Sequence, residues 1–279
     1  MVWFSKSKSS NEIVELIEMP DGLWAKCPSC NETIYKKELE LNLFTCFKCN
    51  HHFKISVNEY IGLIIDENTF KEFNINLKAV DAINFIDSKP YIERIKEAKN
   101  KSGFENSIIC GTGEIFSHKV VFGIINSSFL EGSLGSLETE KIYRSVRFSI
   151  EHKIPFVLLY SSSENRIQES AISLMQIAKL TSIFNELKSE GILCVSILTD
   201  PTVGETAFTL AIQGDIIIAE PGSTLGLSSK SNLEQKTKKR ISDKFPKSDY
   251  YFNSGQIDLV VDRKKLKSTI SNIIDWYNK

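Results

Sequence analysis

Four cysteines in one short window have the spacing of metal ligands. Two C-x2-C pairs are separated by fifteen residues, and their members are Cys27, Cys30, Cys46 and Cys49. This spacing predicts a tetrahedral four-cysteine zinc site rather than two disulfides or two redox pairs. Because four thiolates leave no open position for water, we expect the metal to stabilise the fold and to take no part in catalysis. His51 and His52 follow the last cysteine and are expected to be surface or supporting groups.

A second chemistry is indicated by two stretches that each read as a buried strand, a turn of small residues and a helix start. They span residues 154–169 and 197–215. Such a turn presents backbone N–H groups that can bind an anion or stabilise a developing oxyanion. Either stretch is also compatible with an ordinary βα crossover. Apolar residues near a helical period predict a core-facing helix after the first turn, and they are Ile167, Ala171, Leu174, Ala178 and Leu187.

The composition is that of an ordinary globular protein. The chain has 279 residues, 42% of them hydrophobic, and a formal net charge of −1, so no overall charge signal favours nucleic acid or a membrane. No apolar run approaches the roughly 20 residues of a membrane helix, and the N-terminus lacks the apolar segment of a signal peptide. The lysines around the cysteines lie among glutamates, so nucleic-acid binding is not expected. We expect a cytoplasmic protein.

The chain divides into four predicted segments. Residues 1–22 predict a flexible arm, residues 23–55 a zinc ribbon with a short hairpin between the cysteine pairs, and residues 56–105 a helical linker. Over residues 106–279, short strands alternate with helical segments, which predicts an α/β domain with crossover connections. The glycine-rich turn FLEGSLGS at residues 129–136 matches neither a dinucleotide fingerprint nor a Walker A loop, so nucleotide binding is not expected.

Several motifs together resemble the β-subunit family of bacterial and plastid acetyl-CoA carboxylase carboxyltransferases. They cover nearly the whole chain and include GLWAKCPSC with the second cysteine pair, DSKPYIERI, FLEGSLGS, RIQE, LTDPT, GDIIIAEP and GQID. The resemblance implies a crotonase-type spiral of ββα units behind the ribbon. It also implies a carboxyltransferase α subunit, a biotin carboxyl carrier protein, and carboxyl transfer from carboxybiotin to acetyl-CoA. The malonyl-CoA formed would supply fatty acid or polyketide synthesis.

The same resemblance implies roles for individual residues. Gly132 and Gly204 are expected in the catalytic turns, whose backbone N–H groups stabilise oxyanions, and Gly135, Gly226 and Arg166 are expected at the substrate. Arg166 belongs to a motif similar to RMQE. Its first expected role is to brace the turn by ion pairing, and a contact with a CoA phosphate comes second. Carboxyl transfer through biotin needs no protein nucleophile, which fits a sequence without an evident Ser-His-Asp or Cys-His pattern.

The chain departs from the family pattern at the turns that are expected to hold negative charge. Glutamate stands in place of glycine at Glu131, Glu164 and Glu205, Ser163 replaces a further glycine, and the segment after Gly226 loses a Gly-Pro-Arg sequence. A carboxylate ~4 Å from an enolate costs about 4 kcal/mol at an effective dielectric constant of about 20, which is about three orders of magnitude in rate. The zinc cysteines persist, so the scaffold is retained while the oxyanion site is altered.

Three hypotheses follow from the sequence. The chain is a divergent but working carboxyltransferase β subunit that acts with an α partner on an acyl-CoA. Alternatively it is a repurposed crotonase-fold dehydratase, isomerase or decarboxylase of acyl-CoA or acyl-carrier-protein thioesters, with Glu164 and Glu205 among its acid–base groups. In the third hypothesis it is a non-catalytic partner that keeps the zinc scaffold. Whether the chain is an enzyme stays open among these three.

Overall fold

The computed structural model describes residues 23–162, 166–228, 234–235, 237–240 and 247–278, and of residues 205–207 it describes the backbone. The predicted arm at residues 1–22 lies outside these ranges.

The first elements form a small ribbon around the cysteines. β1 (Trp24–Lys26) and β2 (Thr33–Tyr35) pair antiparallel, and α1 (Lys36–Leu41) follows. The prediction of a hairpin between the two cysteine pairs is wrong. The hairpin is formed by β1 and β2, which lie on either side of the first cysteine pair. Asn31 has φ 60°, a left-handed conformation that asparagine tolerates, and it turns the chain back directly after Cys30.

One mixed sheet organises the rest of the described chain. In chain order its strands are β3 (Lys71–Glu72), β4 (Ile108–Ile115), β5 (His118–Ile125), β6 (Phe156–Ser162), β7 (Cys194–Val203), β8 (Ile216–Ala219), β9 (Leu225–Gly226) and β10 (Leu259–Val260). The order in space is β10-β8-β7-β6-β5-β4-β3, and β9 pairs with β7. β3, β4 and β5 are antiparallel, whereas β5, β6, β7, β8 and β10 are parallel. The carboxyl ends of the parallel strands therefore share one edge.

Helices cover both faces of this sheet. They are α2 (Val57–Ile64), α3 (Tyr91–Ser102), α4 (Ser136–His152), α5 (Ala171–Ser189), α6 (Glu205–Ala211), α7 (Ser248–Asn253) and α8 (Leu266–Tyr277). α4 and α5 contribute Val146 and Leu180 to one apolar cluster, and α2 and α8 contribute Ile64 and Ile270 to another. No helix in the described residues combines the length and the hydrophobicity that a bilayer-spanning segment needs.

The apolar strands serve both clusters at once. Along β6, Phe156, Leu158 and Tyr160 belong to the α4–α5 cluster, whereas Val157 and Leu159 belong to the α2–α8 cluster. Successive side chains of a strand point to opposite faces, so a parallel strand that is covered on both sides reads as a continuous apolar run. The predicted alternation of strands and helices is confirmed.

Most of the residues predicted to form the core-facing side of α5 are not buried. Of the residues expected to face the core, Leu187 is buried, whereas Ile167 and Leu174 have exposed fractions of 64% and 50%, and neither alanine is buried. A 3₁₀ turn at Ile167–Glu169 and the non-helical Ser170 (φ 49°, ψ −131°) precede the helix. Residue 167 is therefore outside the helical period, and the buried face follows Leu180, Ile183, Phe184 and Leu187.

The segment expected as a helical linker is tied to the main sheet. It contains α2 and α3, but β3 pairs with β4 between them, and α2 packs into the α2–α8 cluster. Its helices therefore help to form the surroundings of the site described next.

Candidate functional site

The four predicted ligand cysteines come together in the ribbon. Their Sγ atoms lie within 4.8 Å of one another, with Cys27 at 3.6 Å from Cys49 and Cys30 at 3.7 Å from Cys46. Tetrahedral zinc with Zn–S bonds of about 2.3 Å requires Sγ–Sγ separations of about 3.8 Å, so the donor set fits the ion. All four are free thiols. The cluster is therefore positioned for a metal ion.

Two equivalent turns present these thiols. Asn31 N–H donates to Cys27 O and Asn50 N–H donates to Cys46 O, each at 2.9 Å. Both asparagines are left-handed, with φ of 60° and 56°. Each C-x2-C pair is followed by an asparagine, and asparagine adopts this conformation more readily than most residues. The repeated C-x2-C-N sequence thus accounts for the repeated geometry.

The glycine-rich turn after β5 packs directly on the end of β6. Gly132 has φ +72°, and a Cβ there would lie 2.3 Å from Ser161 O. A Cβ on Gly135 would lie 2.4 Å from Glu169 Oε1. The backbone contact and the positive φ therefore require glycine at residue 132, whereas a side chain at residue 135 would displace the Glu169 carboxylate. Glu131 has φ 57° and an exposed side chain, so the backbone keeps a glycine-like conformation where this chain has glutamate.

Gly132 and Gly204, the two glycines expected in the catalytic turns, donate their N–H groups to backbone carbonyls of the protein itself. Gly132 N–H donates to Phe129 O at 2.9 Å, and Gly204 N–H donates to Gly226 O at 3.1 Å. An oxyanion role for these two N–H groups stays a prediction and requires each to change its partner. Glu164 lies outside the described residues. The backbone of Glu205 begins α6, and its side chain lies outside the description.

Arg166 is the centre of a buried network with Glu138 and Tyr91, which we call the Arg166 triad. Its Nη2 donates to Glu138 Oε1 at 2.9 Å, its Nη1 to Tyr91 OH at 2.7 Å and its Nε to Ser133 Oγ at 2.8 Å. The residue has an exposed fraction of 1%. This placement agrees with the predicted brace, and it leaves the guanidinium no surface for a CoA phosphate.

Two carboxylates connect this network to the start of α4. Glu138 Oε2 accepts from Gly135 N–H at 3.0 Å, and Glu169 Oε2 accepts from Ser136 N–H at 2.7 Å. Burial alone would raise the pKa of Glu138, but Arg166 and the N–H donors outweigh burial and hold that pKa below its usual value. Glu138 is therefore ionised. Arg166 links the turn after β5 to the turn after β6 by hydrogen bonds.

A groove lies beyond the carboxyl ends of β5 and β7, and we call it the strand-end groove. It consists of two cavities of ≈ 420 and ≈ 440 Å³ that share Ser127 and Ser128. α3 lines the first cavity, and residues 54–57, which link the ribbon to α2, line the second together with Pro201. Ligands of open α/β sheets bind outside the carboxyl ends of the strands. The strand-end groove is therefore the candidate substrate site.

Polar groups of both signs border the strand-end groove. Arg94 and Lys101 line the first cavity with Glu131, and Lys54 lines the second. Asn126 also lines the second cavity, and its buried Nδ2 has no hydrogen-bond partner among the described residues. The wall of the second cavity thus holds a buried donor without a partner among the described residues. Of the three glutamates that stand in place of glycines, Glu131 is the one whose side chain is described.

Sequence reasoning missed a second buried network, Arg263 with Glu220 and Tyr60, which we call the Arg263 triad. Each member has an exposed fraction of 5% or less. His52, expected as a surface or supporting group, is buried, with its Nδ1 3.6 Å from Glu220 Oε2 and its Nε2 3.3 Å from Asp262 Oδ2. An acidic residue directly after the apolar run of β8 is the available signal, because a carboxylate in such a place needs a partner.

Two protein families match the chain, one in the ribbon and one in the α/β domain. The family described as acetyl-CoA carboxylase zinc finger domain matches residues 24–49, and the family described as carboxyl transferase domain matches residues 74–276.

Relatives match over nearly the whole length. The chain is 38% identical to the acetyl-coenzyme A carboxylase carboxyl transferase subunit beta of Citrifermentans bemidjiense, over 98% of each chain. It is 39% identical to the protein of the same name from Clostridium kluyveri, over 92% of this chain and 87% of that one.

Solved structures confirm the fold. A transcarboxylase 12S chain superposes with a TM-score of 0.63 at 18% identity, over 79% of this chain and 41% of that longer chain. One chain of the MdcD-MdcE hetero-dimer of a Pseudomonas malonate decarboxylase superposes with a TM-score of 0.59 at 17% identity, over 77% of this chain and 84% of that one. The expected crotonase-like α/β fold with an N-terminal four-cysteine zinc ribbon is thus confirmed. Because the match spans both the ribbon and the α/β domain, the chain belongs to the family of acetyl-CoA carboxylase carboxyl transferase β subunits.

Proposed function

We propose that this chain binds the acyl-CoA substrate of an acetyl-CoA carboxylase carboxyltransferase and, with an α subunit, transfers a carboxyl group from carboxybiotin to acetyl-CoA. The observation that supports this most directly is the strand-end groove at the carboxyl ends of β5 and β7, in a chain whose relatives carry that name over nearly their full length. The two cavities have the size of small-molecule sites.

The groups that border the groove suit a CoA thioester. Lys54 and Lys101 offer positive charge for phosphates, whereas Arg94 is already paired with Asp87. Asn126 Nδ2 is a buried donor at the wall of the second cavity, and its side chain has to turn to reach a carbonyl oxygen of the ligand. Carboxybiotin, carried by another protein, supplies the carboxyl group. In the net reaction the bond between the biotin nitrogen and the carboxyl carbon breaks, a new bond joins that carbon to the methyl carbon of acetyl-CoA, and the proton lost from the methyl group goes to the biotin nitrogen. The part of this chain is to hold the thioester and to stabilise negative charge on its carbonyl oxygen with backbone N–H groups.

Arg166 acts in this proposal as a positioning residue. It joins the turn after β5 to the turn after β6, and both turns border the carboxyl ends of the strands. Gly132 and Gly135 let the turn after β5 approach the turn after β6, and Gly204 and Gly226, which are hydrogen-bonded to each other at the end of β7, are placed at the substrate in this proposal.

The ribbon holds one structural zinc ion per chain in this proposal. The Sγ separations support a closed tetrahedral site formed by Cys27, Cys30, Cys46 and Cys49. Thiolates that serve as metal ligands favour a reducing compartment, which supports a cytoplasmic location.

An α subunit is the expected partner, and exposed apolar residues around the start of α5 support this. Ile167, in the 3₁₀ turn directly after Arg166, is 64% exposed, and Leu174 and Met175 in the first turns of α5 are 50% and 69% exposed. Apolar side chains grouped in this way mark interaction surfaces more often than scattered ones. A biotin carboxyl carrier protein would approach the shared site of the two subunits.

The experiment is an assay of malonyl-CoA formation from acetyl-CoA and a carboxylated carrier, with the chain alone and with the α subunit. We expect transfer only when both subunits are present. Glu164→Gly and Glu205→Gly should leave the rate unchanged or raise it, because a working site keeps these carboxylates away from the thioester.

Crotonyl and malonyl thioesters distinguish the alternatives in the same assay. An acid–base enzyme would turn over the crotonyl thioester and lose ~10²–10⁴ in rate in Glu164→Gln or Glu205→Gln. A scaffold would assemble with the α subunit and act on none of the thioesters. Either result, with no carboxyl transfer, would contradict the proposal.

A further inference from the structure

Arg263 binds the backbone of the ribbon on both sides of its second cysteine pair. Its Nη1 donates to Phe53 O at 2.9 Å and to Leu43 O at 3.3 Å. The guanidinium is buried, with an exposed fraction of 2% for the residue. Because one donor group serves both flanks of the pair, the ribbon cannot turn on the α/β domain without breaking these hydrogen bonds.

The other nitrogens of the same guanidinium donate hydrogen bonds to the α/β domain. Nε and Nη2 donate to the two oxygens of Glu220 at 2.7 Å each. Tyr60 accepts from Arg263 Nη2 at 3.1 Å and donates to Glu220 Oε2 at 3.0 Å. A bidentate arginine–carboxylate pair is specific in its geometry. Arg263 therefore holds the ribbon on the α/β domain in one orientation.

The segment that leaves the ribbon is part of the strand-end groove. Phe53, whose carbonyl accepts from Arg263, is followed directly by residues 54–57, which line the ≈ 440 Å³ cavity. The far end of this segment is anchored where α2 begins, because Ser56 Oγ accepts from Glu59 N–H at 3.3 Å. One end of this groove wall is thus held by Arg263 and the other by a helix cap.

We propose that Arg263 is a positioning residue that couples metal binding in the ribbon to thioester binding in the strand-end groove. The inference rests on the proposed function of that groove. Loss of the metal loosens the carbonyls that Arg263 binds, and loss of Arg263 frees the groove wall even when the metal is bound. Arg263 lines neither cavity of the groove, so its effect falls on the KM for acetyl-CoA and leaves kcat nearly unchanged.

The experiment compares Arg263→Gln, Arg263→Lys and wild-type chain in complex with the α subunit. We expect Arg263→Gln to raise the KM for acetyl-CoA about tenfold, with kcat within about twofold. Zinc transfer to a metallochromic dye should become faster, and hydrogen exchange over residues 53–57 should increase. Arg263→Lys keeps the charge but loses the bidentate geometry, so it should fall between the two. Lys265→Gln, an exposed neighbour, is the matched control and should behave like wild type.

A double perturbation tests the coupling itself. Removing zinc from the wild-type complex should raise the KM to a similar extent, and removing it from Arg263→Gln should add little further. If Arg263→Gln does not fold, Tyr60→Phe removes one member of the triad and keeps the ring, and it should shift the KM and zinc transfer in the same direction by about two- to threefold.

Two outcomes would overturn the inference. One is an unchanged KM in variants with altered zinc transfer, and the other is additive effects of zinc removal and Arg263→Gln. A wild-type complex that transfers no carboxyl group contradicts the proposed function instead. In that case zinc transfer and hydrogen exchange still test whether Arg263 holds the ribbon and residues 53–57.

Discussion

The Arg166 triad and the Arg263 triad use the same groups in different places. In each, a buried arginine is bonded to a glutamate, to a tyrosine hydroxyl and to backbone carbonyl oxygen. Each guanidinium also lies over the ring of its tyrosine, with the arginine Cζ 6.0 Å from the Tyr91 centroid and 5.2 Å from the Tyr60 centroid. The two differ in what they join. Arg166 connects turns within the α/β domain, whereas Arg263 connects the ribbon to that domain.

Both charge pairs specify geometry more than they add stability. Burying an arginine–glutamate pair gains little stability over a well-packed apolar pair, because both charges lose their hydration. Such a pair does specify geometry, since the planar guanidinium accepts few arrangements of its partners. In the Arg166 triad the geometry specified is that of two turns at the carboxyl ends of β5 and β6. In the Arg263 triad it is the orientation of a metal-binding module.

The largest effect is expected when the ribbon is unfolded, because this disrupts the Arg263 triad and leaves the Arg166 triad in place. In Cys27→Ala, zinc binding should be lost and the ribbon should unfold, because metal affinity of roughly 10–16 kcal/mol provides the folding energy of such modules. The α/β domain should keep its own unfolding transition, because the Arg166 triad contains no ribbon residue. Zinc content and hydrogen exchange over residues 23–53 measure the loss. Cys110→Ala, a buried cysteine outside the ribbon, is the control and should retain zinc.

The next effect concerns the Arg166 triad. Arg166→Leu should lower the free energy of unfolding by about 3–5 kcal/mol, because Glu138 and Glu169 are left buried without their counter-charge. Urea denaturation measures this change. The double variant Arg166→Leu with Glu138→Gln should recover part of the loss, since it removes the unpaired charge as well. A single variant as stable as wild type would mean that the carboxylates find other partners.

A smaller loss of folding stability is expected at low pH. In both triads burial alone would raise the glutamate pKa, but the pKa is lowered because neighbouring groups favour the ionised form. These groups are Arg166 and backbone N–H donors at Glu138, and His52 and Arg263 at Glu220. A lowered folded-state pKa contributes stability that is complete above the unfolded value and is lost as pH falls through the folded one. Stability should therefore fall as pH decreases below about 4.5, the usual value for glutamate.

Single substitutions test this acid dependence. Glu220→Gln should flatten the fall in the urea midpoint between about pH 5 and pH 3, whereas Glu190→Gln, an exposed ion-pair carboxylate, should change it little. An unaltered slope in Glu220→Gln would show that other groups dominate acid unfolding.

The smallest effect is expected at Glu131, a non-glycine residue in a left-handed conformation in the turn beside the Arg166 triad. Glu131→Gly should raise the free energy of unfolding by about 1 kcal/mol or less, because glycine relieves the left-handed conformation at residue 131 but loses more chain entropy. Lys153→Gly calibrates the conformational part, since Lys153 has φ 54° at the end of α4. Thermal unfolding measures both, and a less stable Glu131→Gly protein would mean that the glutamate side chain stabilises the turn.

The parts of the fold that could be predicted depend on neighbours in sequence. The metal cluster follows from two C-x2-C-N repeats, and the layered α/β domain follows from apolar strands that alternate with helices. The phase of α5 could not be predicted, because the non-helical Ser170 separates Ile167 from the helical period. The Arg263 triad could not be predicted either, since Arg263 lies 43 residues from Glu220 and 210 residues from the carbonyl of Phe53. The partners of the Gly132 and Gly204 N–H groups likewise depend on how the turns pack.

The two outer strands of the sheet affect how the chain can associate with other molecules. β3 and β10 are two residues long, and β3 consists of Lys71 and Glu72. An exposed strand edge invites pairing with another chain, and short or charged edges reduce that tendency. Neither edge of this sheet offers a length that a foreign strand could extend by several hydrogen bonds. Recruitment of another chain by strand addition is therefore disfavoured at the described edges, and their shortness also protects the protein against edge-to-edge aggregation.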